Sequence, residues 1–295
     1  MKTPWGELDI EDAHVHFFSH RFFALLAPGM QKVAEHLGWQ APPEDAAALA
    51  LEWVAEMDRH GVSKSVMIAS LPGDAISVAR AAAAAPSRLY GYCMVNPTCQ
   101  PAEIAPEMKG ICLFPAMHRY GINDAAVVPF LQLADREQLV VFVHCGVLTV
   151  GVRKKLGLPS QFDMRFSNPI DVHPVALAYP RAKFVIPHFG AGYLREALMV
   201  ADLCPNVYLD TSSGNSWMRY SGLDLKEVFR RVLAVAGSKR LLFGTDSSYF
   251  PRGWNKAIFD EQVGTLWELG IAAEDAAAIF GGNLRRLMKG AATPS

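Results

Sequence analysis

The chain has 295 residues, of which 51% are hydrophobic and 19% charged, a composition typical of a globular enzyme and not of a disordered or fibrous protein. Its 28 basic and 29 acidic residues nearly cancel without long runs of one sign, which excludes the charge pattern of a nucleic-acid-binding protein. No stretch approaches the roughly 20 apolar residues of a membrane span, and the N-terminus lacks the apolar core of a signal peptide. We therefore expect a cytoplasmic protein with a small-molecule substrate, with a homodimer as the commonest oligomeric form.

Eight short apolar segments alternate with helix-patterned stretches along the chain. In order they are LDIEDAHVHF, SKSVMIAS, RLYGYCMVNP, GICLFPAM, LVVFVHCG, AKFVIPHF, NVYLDTSS and KRLLFGTD. Continuous hydrophobicity, as in VVFVH, is typical of parallel strands covered on both faces, whereas Ala50, Val54 and Met57 repeat at helical spacing. The glycine-rich phosphate turn of open doubly wound sheets is absent from the sequence. The pattern predicts an α/β fold, a single (β/α)8 TIM barrel over residues 1–295.

Two connections are longer than a tight turn requires. Residues 17–43 follow the first predicted strand, and residues 146–180 follow the fifth. Both insertions leave the carboxyl ends of strands, which form the functional face of a barrel, so we expect them to build a lid or a substrate wall. The first contains several aromatic residues that either line a pocket or pack the insertion onto the barrel: Phe17, Phe18, Phe22, Phe23 and Trp39.

Ionisable side chains stand at the carboxyl ends of several predicted strands. His14 and His16 are two residues apart on the first strand, so both side chains project from one face. His144, His188 and Asp246 terminate strongly apolar segments. Because such groups are costly to bury alone, their convergence at the barrel mouth predicts a shared metal or catalytic site.

This arrangement resembles the amidohydrolase superfamily over nearly the whole chain. The segments PHFGAG, PNVYLDTSS, FGTDSS and IFGGNLRRL resemble its amidohydrolase-related branch, which holds hydrolases and non-oxidative decarboxylases. The resemblance implies that His14, His16, His144 and Asp246 bind a metal. It also implies that His188 contacts the substrate or the reactive water.

The number and kind of metal ions are a separate expectation. In part of the superfamily a carboxylated lysine on strand four bridges two metals, but the predicted fourth strand here has Cys112 near that place and no lysine. We therefore expect one divalent ion. A site of three histidines and one aspartate accepts Zn, Mn, Fe or Co, and zinc is the default.

The resemblance leaves two reactions open. The first is hydrolysis of a small amide, lactone or ester by a metal-activated water, since a bound metal lowers the pKa of water to about 7. Asp246 would then transfer the proton, and His188 would orient the water or stabilise the oxyanion. The second is decarboxylation of a small, possibly aromatic, acid, with Asp246 or His188 as the proton donor. A metal-free binding barrel is a third alternative, but it predicts a broken ligand set.

Candidate substrate-binding residues follow from the second reaction. A decarboxylase needs a cation for the substrate carboxylate, and Arg119, Arg165 and Arg252 are candidates, although each equally fits an ordinary surface role. His118, after strand four, is a further candidate for substrate contact. Asp12 shares a strand face with the two histidines and either orients an imidazole or accepts hydrogen bonds deeper in the barrel.

Overall fold

A parallel eight-stranded barrel forms the body of the protein in a computed structural model that describes residues 1–159, 162–213 and 215–290. Its strands are β1 (Ile10–Phe17), β2 (Val62–Ala69), β3 (Leu89–Val95), β4 (Met108–Leu113), β5 (Val140–Val143), β6 (Lys183–Ile186), β7 (Val207–Asp210) and β8 (Leu241–Leu242). Each pairs in parallel with the next. A bridge between Val15 and Ser247 joins the segment after β8 to β1. The predicted TIM barrel is confirmed.

Helices follow the strands, and the longer ones cover the outside of the barrel. They are α1 (His20–Leu26), α2 (Val33–His36), α3 (Ala46–His60), α4 (Ala75–Ala84), α5 (Pro115–His118), α6 (Val128–Glu137), α7 (Gly151–Lys155), α8 (Val172–Ala178), α9 (Leu194–Leu203), α10 (Leu225–Val235), α11 (Tyr249–Arg252), α12 (Lys256–Glu268), α13 (Ala273–Ala277) and α14 (Asn283–Gly290). The helical spacing of the sequence is found in α3, which starts at the capping carboxylate of Asp45 and ends at the left-handed Gly61. None of the described helices combines the length and apolar character needed to cross a bilayer.

Two apolar layers position the functional face. The outer layer packs helices on strands, with Trp53 and Phe229 fully buried in it. The barrel interior is filled by a second cluster that includes Tyr92, Cys112 and Phe142. Because the interior is packed with side chains, ligands have access only to the ends of the strands.

Strand β4 differs from the sequence prediction at its start. It begins at Met108, two residues earlier than expected, and therefore contains Lys109, whereas no lysine was expected within this strand. Lys109 lies at the amino end of the strand and does not line the cavity at the opposite end. Cys112 is fully buried in the barrel interior. The expectation of a single metal ion is unaffected, because β4 supplies no lysine at the functional face.

The two insertions pack against each other above the barrel mouth. Residues 18–39 and 150–158, here called the roof, share a separate apolar cluster in which Phe23 and Leu37 are buried beside Val152. The hydroxyl of Ser19 donates to the carboxylate of Asp74, at 2.8 Å from either oxygen, and ties the roof to the loop after β2. The insertions therefore enclose a space over the strand ends.

A glycine after β5 joins two of the loops at the functional face. Gly146 has a φ of +74°, and a Cβ atom there would overlap the carbonyl oxygens of Gly190 and Ala191. We expect Gly146→Ala to lower the free energy of unfolding by roughly 3 kcal/mol, because backbone strain and a steric clash add. Gly264→Ala, in the exposed interior of α12 with open space around the position, should instead stabilise by about 0.5–1 kcal/mol. Denaturant unfolding measures both changes; equal stability of the two variants would contradict this prediction.

Candidate metal centre

The two histidines of β1 are held by their Nδ1 atoms and present Nε2 to a common carboxylate. His14 Nδ1 lies 2.7 Å from Oδ2 of Asp210, and His16 Nδ1 lies 2.8 Å from Oγ of Ser70. The Nε2 atoms of His14 and His16 are 3.7 Å and 3.0 Å from Oδ1 of Asp246. A hydrogen bond at Nδ1 fixes ring orientation and leaves Nε2 for a metal, as in many histidine metal sites.

Asp246 reaches this position through its backbone. It lies four residues beyond β8, has a φ of +56°, and donates its N–H to the carbonyl oxygen of His14 at 2.9 Å. Burial alone would raise the pKa of Asp246, but the imidazoles of His16, His14 and His188 lower it below the usual range of a carboxyl. The side chain is therefore an anion facing the imidazoles.

His188 is fixed behind the same centre. It begins a short turn after β6 and has a φ of +54°, a conformation that costs a non-glycine residue about 1–2 kcal/mol. Its Nδ1 lies 3.1 Å from the carbonyl oxygen and 2.9 Å from Oγ of Ser212. Because a carbonyl oxygen only accepts, Nδ1 carries the hydrogen. Burial lowers the pKa of His188, so the neutral ring keeps a lone pair on Nε2.

His144 completes the cluster from the carboxyl end of β5. Its ring centroid is 5.4 Å from that of His188 and 5.3 Å from that of Phe114. Its Nδ1 is buried and has no hydrogen-bond partner among the described residues. Burial, followed by the neighbouring His188, lowers the pKa of His144 well below its ordinary value. A buried neutral imidazole with an unused nitrogen is costly without a partner, which a metal ion would supply.

The donor set fits one divalent cation. The ligand atoms of His14, His16 and Asp246 all lie within 4.8 Å of one another. His144, whose ring centroid is 5.4 Å from that of His188, has a buried nitrogen without a partner among the described residues. Imidazole nitrogens with one carboxylate suit Zn, Mn, Fe or Co. Which of these ions binds, and whether His144 is a ligand, stay predictions.

Asp210 and Ser212 contact the histidines of the centre, although neither is among the site residues predicted from the sequence. Asp210 ends β7 and, in addition to its contact with His14, accepts the backbone N–H of Ser212 at 2.6 Å. Ser212 Oγ lies 2.9 Å from Nδ1 of both His14 and His188. Asp210 closes the apolar segment NVYLD just as Asp246 closes its own, so the same signal was present in the sequence.

We expect Asp210→Asn to weaken metal binding by about 10–100-fold, the usual cost of losing an outer-shell partner of a histidine ligand. The amide no longer offers the negative charge that raises the pKa of His14 against the effect of burial. Competition with a chelator measures the affinity. Asp260→Asn, an exposed change on α12, is the matched control, and equal affinity in the two variants would remove Asp210 from this role.

Asp12 takes the second of its two expected roles. Its carboxylate accepts the hydroxyl of Thr245 at 2.6 Å and the indole N–H of Trp254 at 2.9 Å. It contacts the backbone N–H of His14 but not the ring, which Asp210 orients instead. Burial raises the pKa of Asp12 to about 6. Asp12 therefore stabilises the contact between β1 and the segment after β8, beneath the site.

A cavity of 860 Å³ opens above the centre and contains most of the predicted substrate-binding residues. His118, Arg119 and Arg252 line it, whereas Arg165 does not. Arg165 has 83% of its side chain exposed and pairs with Asp163 at 2.6 Å. Of the aromatic residues in the first insertion, the following line the cavity: Phe18, Phe22 and Trp39. The other two are packing residues: Phe17 against Trp53, and Phe23 within the roof.

Comparison with known proteins places these features in a family. The family model described as "Amidohydrolase" matches residues 12–289. One curated relative, protein fluG of Emericella nidulans, is 36% identical over 85 residues, which cover 29% of this chain and 10% of fluG. The matched region is thus a small part of that longer protein.

Solved structures with the same fold have low sequence identity. The 5-carboxyvanillate decarboxylase LigW from Sphingomonas paucimobilis is 16% identical with a TM-score of 0.59, over 96% of this chain and 99% of that one. A zinc-bound amidohydrolase from Burkholderia multivorans is 15% identical with a TM-score of 0.63, over 95% and 99%. These likenesses support the fold.

Proposed function

The chain belongs to the amidohydrolase family, and from that membership and the geometry of the site we propose that it is a mononuclear metal-dependent decarboxylase of a small aromatic carboxylic acid. The observation that carries the choice of reaction is a cation beside the candidate metal centre. The sequence considerations favoured hydrolysis, with decarboxylation second. The position of Arg252 reverses this order, because a decarboxylase must hold a carboxylate next to its metal.

Arg252 is held in place by neutral groups. Its Nε donates to Oγ of Ser248 at 2.7 Å, and its Nη2 lies 3.3 Å from the backbone oxygen of Asp246. The guanidinium also lies 5.5 Å from the centre of the Phe18 ring. None of its hydrogen bonds in the described structure is to a carboxylate. A guanidinium positioned in this way is ready to bind an external carboxylate.

Aromatic walls favour a flat substrate. Phe18 stacks on His16 at 6.1 Å and on Trp39 at 5.8 Å, with interplanar angles of 15° in both pairs. Offset stacking of this kind extends readily to an aromatic ligand. Proteins of similar fold include decarboxylases of aromatic acids, such as the 5-carboxyvanillate decarboxylase LigW, which is consistent with this substrate class.

Each residue of the centre has a defined part in this reaction. His14, His16, His144 and Asp246 would hold the cation, which when bound supplies Lewis acidity toward the substrate oxygens. Arg252 binds the carboxylate. Nε2 of His188, which carries no proton in the free protein, takes one up from solvent when the anionic substrate binds, and this proton passes to the ring carbon that bears the carboxylate. The carbon–carbon bond then breaks, its electron pair restores the aromatic ring, carbon dioxide leaves, and the imidazole is neutral again.

Hydrolysis of an amide, lactone or ester is the second candidate. It is favoured by the closeness of Asp246 to both Nε2 atoms of β1, which places a carboxylate where it can accept a proton from an attacking water. His188 would then orient that water. A metal-free binding barrel has no comparable support, because all four predicted donors, His14, His16, His144 and Asp246, are present in the sequence.

An isotope experiment separates the two reactions. Protein loaded with zinc or manganese is incubated in deuterium oxide, and separately in heavy-oxygen water, with a panel of hydroxybenzoates, lactones and amides. We expect carbon dioxide release and a deuterium on the ring carbon of the aromatic product, with no heavy oxygen incorporated into that product. Incorporation of heavy oxygen into a new acid without carbon dioxide release would replace decarboxylation by hydrolysis.

A further inference from the structure

Three further cations line the cavity in addition to Arg119 and Arg252. Arg153 and Lys155 belong to α7 in the roof, and Arg219 lies in the turn Ser216–Tyr220 after β7. The described lining contains one carboxylate, that of Asp246. The space above the centre is therefore strongly positive, although the whole chain has a formal net charge of −1.

The three cations are positioned by neutral groups. Arg153 donates from Nε and Nη2 to the carbonyl oxygen of Pro159, at 3.0 Å and 2.7 Å. The Nζ of Lys155 lies 5.6 Å from the centre of the Trp39 ring. Arg219 lies 4.9 Å from the ring of Tyr220 and donates to its hydroxyl. Within the residues that the structure describes, none of the three pairs with a carboxylate.

Several arginines outside the cavity pair with carboxylates. Five of them lie 2.6–3.1 Å from a carboxylate oxygen, namely Arg136, Arg165, Arg181, Arg195 and Arg230. Carboxylates thus pair with these surface guanidinium groups, whereas Arg153, Lys155 and Arg219 have no carboxylate partner in the described part of the chain. Grouping like charges costs free energy through mutual repulsion, and a bound anion offsets that cost.

The size of the cavity leaves room for a second polar group. Ligand pockets span about 300–1,000 Å³, and the 860 Å³ here lies near the upper end of that range. An acid whose carboxylate contacts Arg252 would occupy the part of the cavity next to the metal centre. Trp39 and Trp217 also line the cavity and offer apolar surface to the body of such a ligand.

We propose that the substrate is a dianion, with a second carboxylate or a phosphate at the end away from the metal centre, and that Arg153 and Arg219 bind this second group. This proposal rests on the proposed function, because the first anionic group is the carboxylate that decarboxylation removes. It assigns α7 and the turn after β7 a part in substrate selection.

Calorimetric titration of the zinc-loaded protein with matched probes tests this proposal. The probes are a biphenyl monocarboxylate, the corresponding linear dicarboxylate, and a biphenyl with a phosphonate in place of the second carboxylate. We expect the dicarboxylate to bind about tenfold more tightly than the monocarboxylate, the factor for one charge-assisted contact at a partly exposed site. Tighter binding of the phosphonate than of the dicarboxylate would identify a phosphate as the second group.

Arginine variants then test which residues cause the preference for the dicarboxylate. The double variant Arg153→Gln, Arg219→Gln should bind the two carboxylate probes within about twofold of each other, and Arg153→Lys should keep part of the preference because the charge remains. Arg252→Gln should weaken the binding of both carboxylate probes by a similar factor. Arg195→Gln is the matched control, because Arg195 is exposed and paired, and it should not change the affinity for either probe.

Three results would overturn the proposal: equal binding of the two carboxylate probes to the unmodified protein, a preference that survives in the double variant, or binding of neither probe at millimolar concentration. Calorimetry needs no turnover, so this test is separate from that of the reaction. A dianion preference without carbon dioxide release from any acid would reject decarboxylation and leave the second anion site standing. Decarboxylation of simple monoacids with no preference for dianions would support the proposed reaction and reject the second anion site.

Discussion

An Asp246→Asn variant is expected to lose its metal and its turnover together while it keeps its barrel. The amide removes the negative charge that faces Nε2 of His14 and His16. Asparagine tolerates the left-handed backbone found at position 246, so the loop has no new reason to rearrange. We expect metal affinity to fall more than about 100-fold, beyond the cost of an outer-shell change, and turnover to fall about 1,000-fold or more.

Elemental analysis, a turnover assay and a thermal melt measure these effects on one preparation. Asp260→Asn is a suitable control, because this exposed carboxylate pairs with Lys256 on α12. Retention of a full equivalent of metal with near-normal turnover would exclude Asp246 from the site. Loss of the folded state would be visible in the melt.

A His188→Asn variant is expected to keep its metal and lose its rate. His188 is held through Nδ1 by Ser212, and its Nε2 is the proposed donor of the proton, so its removal affects chemistry more than metal binding. Asparagine again suits the positive φ at this position. We expect turnover to fall by about 100–10,000-fold, the usual contribution of a positioned acid or base.

Metal content separates the two possible roles of His188. About one equivalent in the variant would support catalysis, and stoichiometric loss would reassign His188 to the ligand set. His20→Asn replaces an exposed histidine at the start of α1 that does not line the cavity, and it should change neither metal content nor rate. A His188→Asn variant with normal turnover would contradict the proposed proton transfer.

Periodicity and strand ends were sufficient to predict much of the centre. The two-residue spacing of His14 and His16 fixes one strand face whatever the surrounding fold, and His144 directly follows β5. Asp246 was harder to place. It lies beyond β8 and is directed by a left-handed turn and a backbone hydrogen bond to His14. A sequence pattern shows that an acid is near a strand end, but not the turn that aims it.

The partners of the histidine rings depend on closure of the barrel. Asp210 is 196 residues from His14 along the chain, and only the neighbouring positions of β7, β8 and β1 bring their side chains together. Arg153, Lys155 and Arg219 lie in the connections that follow β5 and β7, where local sequence carries little information on the direction of a side chain. The position of Arg165, in contrast, is set locally, because the carboxylate of Asp163, two residues away in sequence, holds it at the surface.

Metal per chain in the purified, unmodified protein is the most direct test of the central claim that this barrel carries a mononuclear centre. Elemental analysis after reconstitution with zinc, manganese, iron and cobalt in turn should give about one equivalent for at least one ion, the stoichiometry of three histidines and one aspartate around a single cation. Two equivalents would contradict a mononuclear site and point to a bridging ligand near β4. Less than about a tenth of an equivalent with every ion would contradict the metal centre itself.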